Sequence, residues 1–111
     1  MNWIPLTTDT QIEEIKVKSK DKPQLIFKHS TRCGISSMAK SRLEKPGAPL
    51  TIDFYYLDLI NHRSLSSKLA ESFRVMHESP QILLIKNGEC VYEESHTGIR
   101  MDDIIEHASF A

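Results

Sequence analysis

"PQILLIKNGECVYEES" (Pro80 to Ser95) holds two strand-forming runs joined at Asn87-Gly88. Asn-Gly is a favoured pair for a two-residue type I′ turn, so the two runs are expected to form an antiparallel hairpin. Upstream, "PQLIFKHS" starts at Pro23 and carries the continuous apolar run Leu25-Ile26-Phe27. A run of this kind predicts a strand buried on both faces. A second β-rich run, "LTIDFYYLDL", follows after "GISSMAKSRLEK", whose Ile35, Met38, Ala39 and Leu43 recur at helical spacing before "PGAP" stops them.

Three further helices complete the chain. "TTDTQIEEIKVKSK" offers Thr or Asp caps, early Glu and late Lys, the polarity a helix dipole favours; Ile12 and Ile15 give it only a thin apolar stripe, so it is expected to be peripheral. "NHRSLSSKLAESF" puts Leu65, Leu69, Ala70 and Phe73 on one face, and "RMDDIIEHASFA" reads as an amphipathic terminal helix. The order is α-β-α-β-α-β-β-α. The β-α-β half needs a crossover and hence parallel strands, while the hairpin needs an antiparallel pair. One four-stranded mixed sheet flanked by helices on both faces satisfies both halves, which is the thioredoxin-like α/β architecture.

Composition narrows the function. The chain has 111 residues, 40% hydrophobic and 26% charged, enough for one domain (1–111) with its own core. A net charge of −1 argues against a nucleic-acid footprint. No 18-residue apolar run predicts a membrane span. The start, "MNWIPLTTDTQIEE", does not read as a signal peptide. Two cysteines do not make a disulfide framework, so a reducing cytoplasm is the expected compartment.

Those cysteines fall in contrasting places. Cys33, in "KHSTRCGISSM", is expected at the carboxyl end of the first long strand and the N-terminus of the next helix, where sites of open α/β sheets gather. Unpaired N–H groups and the helix dipole favour a thiolate there. Arg32 and Lys28 could add positive potential if their side chains turn toward the sulfur, and Gly34 leaves room for an approaching disulfide. Ser36 occupies the place of a second, resolving thiol. A serine can hydrogen-bond a thiolate but cannot displace a mixed disulfide, so the chemistry ends at a mixed disulfide that a third thiol resolves. Cys90 follows the hairpin turn, about 20 Å along the strand from Ser79-Pro80, whereas a disulfide needs Cα atoms within ~7 Å. It is expected to take no catalytic part. In this architecture Pro80 would face the cysteine loop through a cis bond, and Ser79 would offer its backbone to an extended substrate. His29 and His77 flank these segments. Neither they nor His62, His96 and His107 show zinc-ligand spacing, so no metal site is expected.

"FKHSTRCGIS", "HESPQI" and "IKNGE", in that order, resemble the YtxJ family of bacillithiol-system redox proteins, the monothiol bacilliredoxins. The resemblance implies a thioredoxin-like fold and thiol-disulfide exchange with bacillithiol as co-substrate. Cys33 would be its cysteine, Ser36 its Cys-x-x-Ser serine and Pro80 its cis proline. On this reading Cys33 and Ser36 are catalytic, while Thr31, Arg32, Gly34, Ile35, Ser79 and Pro80 bind substrate. The partners would be S-bacillithiolated proteins and a low-molecular-weight thiol, with the chain a monomer or weak dimer and no tightly bound cofactor. Many family members have proline where this chain has Gly34. Cys-Gly-Ile-Ser also resembles the Cys-Gly-Phe-Ser of monothiol glutaredoxins, which use glutathione and often carry a [2Fe–2S] cluster. A cluster-binding role is therefore one alternative. A non-enzymatic adaptor whose Cys33 records stress by S-thiolation is another.

Overall fold

The computed structural model describes residues 1–30 and 32–109. Its elements are β1 (Ile4–Pro5), α1 (Asp9–Lys18), β2 (Gln24–His29), α2 (Gly34–Glu44), β3 (Asp53–Asp58), α3 (Arg63–Phe73), β4 (Gln81–Lys86), β5 (Glu89–Ser95) and α4 (Met101–Ser109). A short 3-10 turn, His96–Gly98, precedes α4. The sheet runs β1-β3-β2-β4-β5. β1 and β2 both pair with β3 in parallel, and β4 is antiparallel to β2 and β5. The expected four strands are there, and a fifth extends the edge. That extra strand is two residues long, held by register with Tyr55 and Tyr56 and by the bond from Leu6 N–H to Tyr56 O at 2.8 Å. Pro5 can sit there because an edge strand needs no donor on its outer side.

β2 is buried along its whole length, between β3 and β4. Alternation then divides the core. Ile26, Tyr55, Leu57, Leu83 and Ile85 face one way, against Ile12 and Ile15 of α1 and Leu65, Leu69 and Phe73 of α3. Leu25, Phe27, Phe54, Ile82 and Leu84 face the other, against Ala39 and Leu43 of α2 and Met101 and Ile104 of α4. α1 is thus less peripheral than its thin stripe suggests, since both isoleucines are buried. Its start is held by Gln11 Oε1, which accepts the N–H groups of Thr7 and Thr8 at 2.7 and 3.0 Å.

In α2 the inward stripe is Ser36, Ala39 and Leu43, while Ile35 and Met38 are 50% and 68% exposed. The helix is rotated by one residue from the spacing that would bury Ile35 and Met38. The hairpin turn is as expected, with Asn87 and Gly88 at φ 53° and 79°. A bulge between Leu84 and Ile85 leaves Val91 as the extra residue of β5.

Candidate active site

The parallel strands β2 and β3 both end at the same edge of the sheet, and the chain leaves β2 there to start α2. Cys33 is the N-cap of α2, extended at φ −106° and ψ 119°. Its backbone is fixed by the bond from Cys33 N–H to Ser30 O and by that from Ser37 N–H to Cys33 O, both 3.1 Å. A side chain at an N-cap reaches toward the N–H groups of the next two or three residues. The amides of Gly34, Ile35 and Ser36, in the first turn of α2, have no acceptor among the described residues, and the Cys33 side chain makes no capping bond to them. Cys33 is partly exposed and unbridged. A Cβ built on Gly34 would meet nothing within 4 Å, so the space at Gly34, next to Cys33 in the chain, is open.

Ser36 is fully buried one turn into the helix. Its Oγ lies 2.6 Å from His29 Nδ1 and accepts the Ser30 N–H at 3.0 Å. Among the described residues it makes no bond to Cys33: the hydroxyl clamps the start of α2 to the end of β2. His29 is itself nearly buried, stacked on Phe27 with ring centroids 5.6 Å apart and tilted against Tyr56 at 5.4 Å. Burial pushes its ring below the ordinary histidine value, helped by the nearby Lys40 ammonium and opposed by Asp58 and Glu44. A neutral ring suits a bond to a hydroxyl, since one nitrogen can accept and the other donate.

Lys28 does not turn to the sulfur. It is wholly buried on the other face of β2, with Nζ 3.3 Å from His77 Nδ1. Burial lowers its ammonium to about 8, against a smaller raising influence of Glu93. The same His77 nitrogen is 3.3 Å from Ser66 Oγ, so the loop before β4 is tied to both β2 and α3. Sequence reasoning flagged His77 only as a neighbour of the site. Its partners come from residues 49 and 11 positions away, and no local pattern encodes them.

The Ser79-Pro80 bond is cis, as the architecture requires, and Pro80 is buried at the head of β4. Ser79 N–H and C=O have no partner among the described residues, and its hydroxyl is buried without one. That backbone is free to pair with an extended chain. Exposed Ile35 and Met76, the latter 82% exposed, add apolar surface on the two segments. Arg32 is exposed and has no partner among the described residues. Thr31 lies outside the described residues.

Cys90 sits in β5 opposite Ile85, near the hairpin turn, at the other end of β4 from Pro80. Its Sγ points to Tyr92 O at 3.4 Å, and burial pushes the thiol up to about 11. Among the described residues no group of three or more His, Cys, Asp or Glu is arranged to hold a metal ion, and no helix is long and apolar enough to cross a membrane.

A cysteine capping the helix that leaves a central strand, with a cis proline at the head of the neighbouring antiparallel strand, defines a thioredoxin-fold oxidoreductase. A structure whose name gives it a thioredoxin fold and, provisionally, an oxidoreductase role is 30% identical, with a TM-score of 0.77 over 94% of this chain and 91% of that one. Thioredoxins share the fold at lower identity. That of Malassezia sympodialis has a TM-score of 0.77 at 17% identity, covering 97% of this chain and 92% of its own. Spinach chloroplast thioredoxin f has 0.70 at 21%, covering 93% and 87%. The family model of monothiol bacilliredoxin BrxC matches residues 4–104, and the chain belongs to that family.

Proposed function

We propose that the protein removes bacillithiol from protein mixed disulfides by a one-cysteine mechanism in a reducing cytoplasm. The observation that carries this is the isolation of Cys33: it is the N-cap of α2, whose first amides have no acceptor among the described residues, Ser36 fills the place of a resolving thiol, and Cys90 lies at the far end of the hairpin. The Cys33 thiolate attacks the bacillithiol sulfur. The old S–S bond breaks, the protein thiolate leaves and takes a proton from solvent, and Cys33 is left disulfide-bonded to bacillithiol. A second bacillithiol thiolate then attacks that bond, forming oxidised bacillithiol and restoring Cys33. The small thiol supplies both electrons.

The residues have distinct parts. The Gly34, Ile35 and Ser36 amides hold the negative charge that forms and re-forms on sulfur. Ser36 fixes the cap through His29 and Ser30. The Ser79 backbone and Pro80 dock the target chain, with Ile35 and Arg32 on the opposite wall.

The test is to incubate reduced protein with mixed disulfides of one peptide bearing bacillithiol, glutathione or coenzyme A, reading adduct masses and peptide release. Fast bacillithiol transfer to Cys33 alone is expected. Slow adduction from all three would overturn the reading. A brown product with visible absorbance on anaerobic reconstitution would move it to cluster binding.

A further inference from the structure

Beside the segment that leads from β2 to Cys33 lies a cleft of about 370 Å³, toward the lower end of the range for small-molecule sites. Arg63, Ser66 and Ser67 of α3 line it, with Ser30 from the end of β2 and His77 from the loop before β4. The cleft therefore touches both segments of the active site: Ser30 O accepts the Cys33 N–H at 3.1 Å, and His77 is two residues before Ser79.

Its charge has one sign. No aspartate or glutamate lines it, and the Arg63 guanidinium has no hydrogen bond or ion pair among the described residues. Behind His77, the buried Lys28 ammonium has that ring as its hydrogen-bond partner and no carboxylate within ion-pair distance among the described residues. The nearest acidic influence, Glu93, is engaged by Gln81 Nε2 at 2.7 Å. A buried cation without a counter-ion is costly, and an anion bound close to it offsets that cost. Arginine with flanking hydroxyls suits a carboxylate, which accepts a fork of N–H donors and further O–H bonds.

We propose that this cleft binds the carboxylate-bearing tail of the small thiol while its sulfur is joined to Cys33. Arg63 is then a specificity-determining residue that selects acidic low-molecular-weight thiols over neutral ones. The inference rests on the exchange reaction proposed above. The same chemistry could come from an acidic side chain of the target protein, so the experiment must separate the two sources.

The probes are disulfides of one neutral peptide with bacillithiol, mercaptosuccinate or thioglycerol, and of an acid-flanked peptide with thioglycerol. In Arg63→Gln, the ratio of kcat/KM for mercaptosuccinate over thioglycerol on the neutral peptide is expected to fall about tenfold, through KM, with bacillithiol following mercaptosuccinate. An unchanged ratio overturns the proposal. So does a loss confined to the acid-flanked peptide, which would assign the cleft to the protein partner. A second arm needs no turnover: NMR titration of Cys33→Ser protein with reduced bacillithiol and with mercaptosuccinate. Saturable shifts at Arg63, Ser66 and His77 that Arg63→Gln removes support the cleft even if the exchange reaction fails, and their absence refutes it.

Discussion

The two cysteines share a chain and a sheet but not a chemistry. Cys33 stands where a strand hands over to a helix, partly exposed, at the start of a helix whose first amides no carbonyl among the described residues satisfies. Cys90 lies inside a strand, packed beside the α1/α3 core, with its sulfur on a backbone carbonyl. A carbonyl oxygen next to sulfur favours the thiol and opposes the thiolate, as does burial. The surroundings of each sulfur, set by the element that carries it, decide which can attack a disulfide.

The hardest test of that contrast is to remove each sulfur in turn. Cys33→Ser is expected to lower exchange by at least ~10³-fold, because a hydroxyl is not a nucleophile toward disulfides at neutral pH. Cys90→Ser is expected to stay within about twofold of the wild-type rate, at a stability cost of about 1 kcal/mol. Comparable loss in both variants, read as peptide release, would break the one-cysteine mechanism. Alkylation sharpens the contrast without mutation. With its thiol near 11, Cys90 is ionised in only about one molecule in 10⁴ at pH 7. Limited iodoacetamide treatment followed by peptide mapping should mark Cys33 at least ~100-fold faster, and equal labelling would show that the Cys90 strand opens.

Much of this was legible in the sequence, for reasons that separate local from non-local physics. The Asn87-Gly88 turn, the fully buried β2 and the cap position of Cys33 are written in neighbouring residues. β1 was not legible, because two residues that include Pro5 carry no periodicity. The inward face of α2 was expected at Ile35 and Met38 with Ala39 and Leu43, but Ser36 fits the same helical spacing over eleven residues and takes the place of Ile35 and Met38 inside. Packing against β2 settles it by burying a serine that His29 and Ser30 satisfy. The pairing of Ser36 with His29, and of Lys28 with His77, depends on which elements meet across space. The Cys-x-x-Ser spacing located Ser36 but not the partner its hydroxyl would choose.

That partnership makes the Cys33 end depend on a buried polar clamp, as the hairpin end near Cys90 depends on Ser19, whose Oγ accepts the Gly88 N–H at 2.8 Å and whose carbonyl accepts the Asn87 N–H at 3.0 Å. Ser36→Ala strands the Ser30 N–H and the His29 ring nitrogen, and an unsatisfied buried group costs about 1–3 kcal/mol. Urea unfolding should show a loss of that size, and a loss under 0.5 kcal/mol would mean that the clamp adds little. Protonation strains the same region. His29 and His77 both titrate below 6.5 when folded, so below pH 6.5 the unfolded chain binds more protons than the native one. The contribution of these two rings is then level above pH 6.5 and falls as pH drops, by up to ~1.4 kcal/mol per unit for each ring. Urea midpoints from pH 7.5 to 5 should follow that slope, and His29→Gln should flatten part of it. A slope unaltered by the substitution would remove His29 as its source.

The smallest effect concerns the residue beside the sulfur. Gly34 is the first residue of α2, with no positive φ and open space around its α-carbon. Proline suits a first helical position because its missing N–H would have no intrahelical partner there, and its fixed φ narrows the unfolded ensemble. Gly34→Pro should therefore stabilise the fold by about 0.4–1 kcal/mol, visible as a higher Tm. It also deletes one of the first-turn amides proposed to hold the thiolate, so the rate of Cys33 alkylation at neutral pH should fall modestly while Cys90 is unchanged. A higher Tm with undiminished alkylation would show that the Ile35 and Ser36 amides hold the thiolate without the first. A lower Tm would show that the cap at Cys33 needs a conformation that only glycine allows after it.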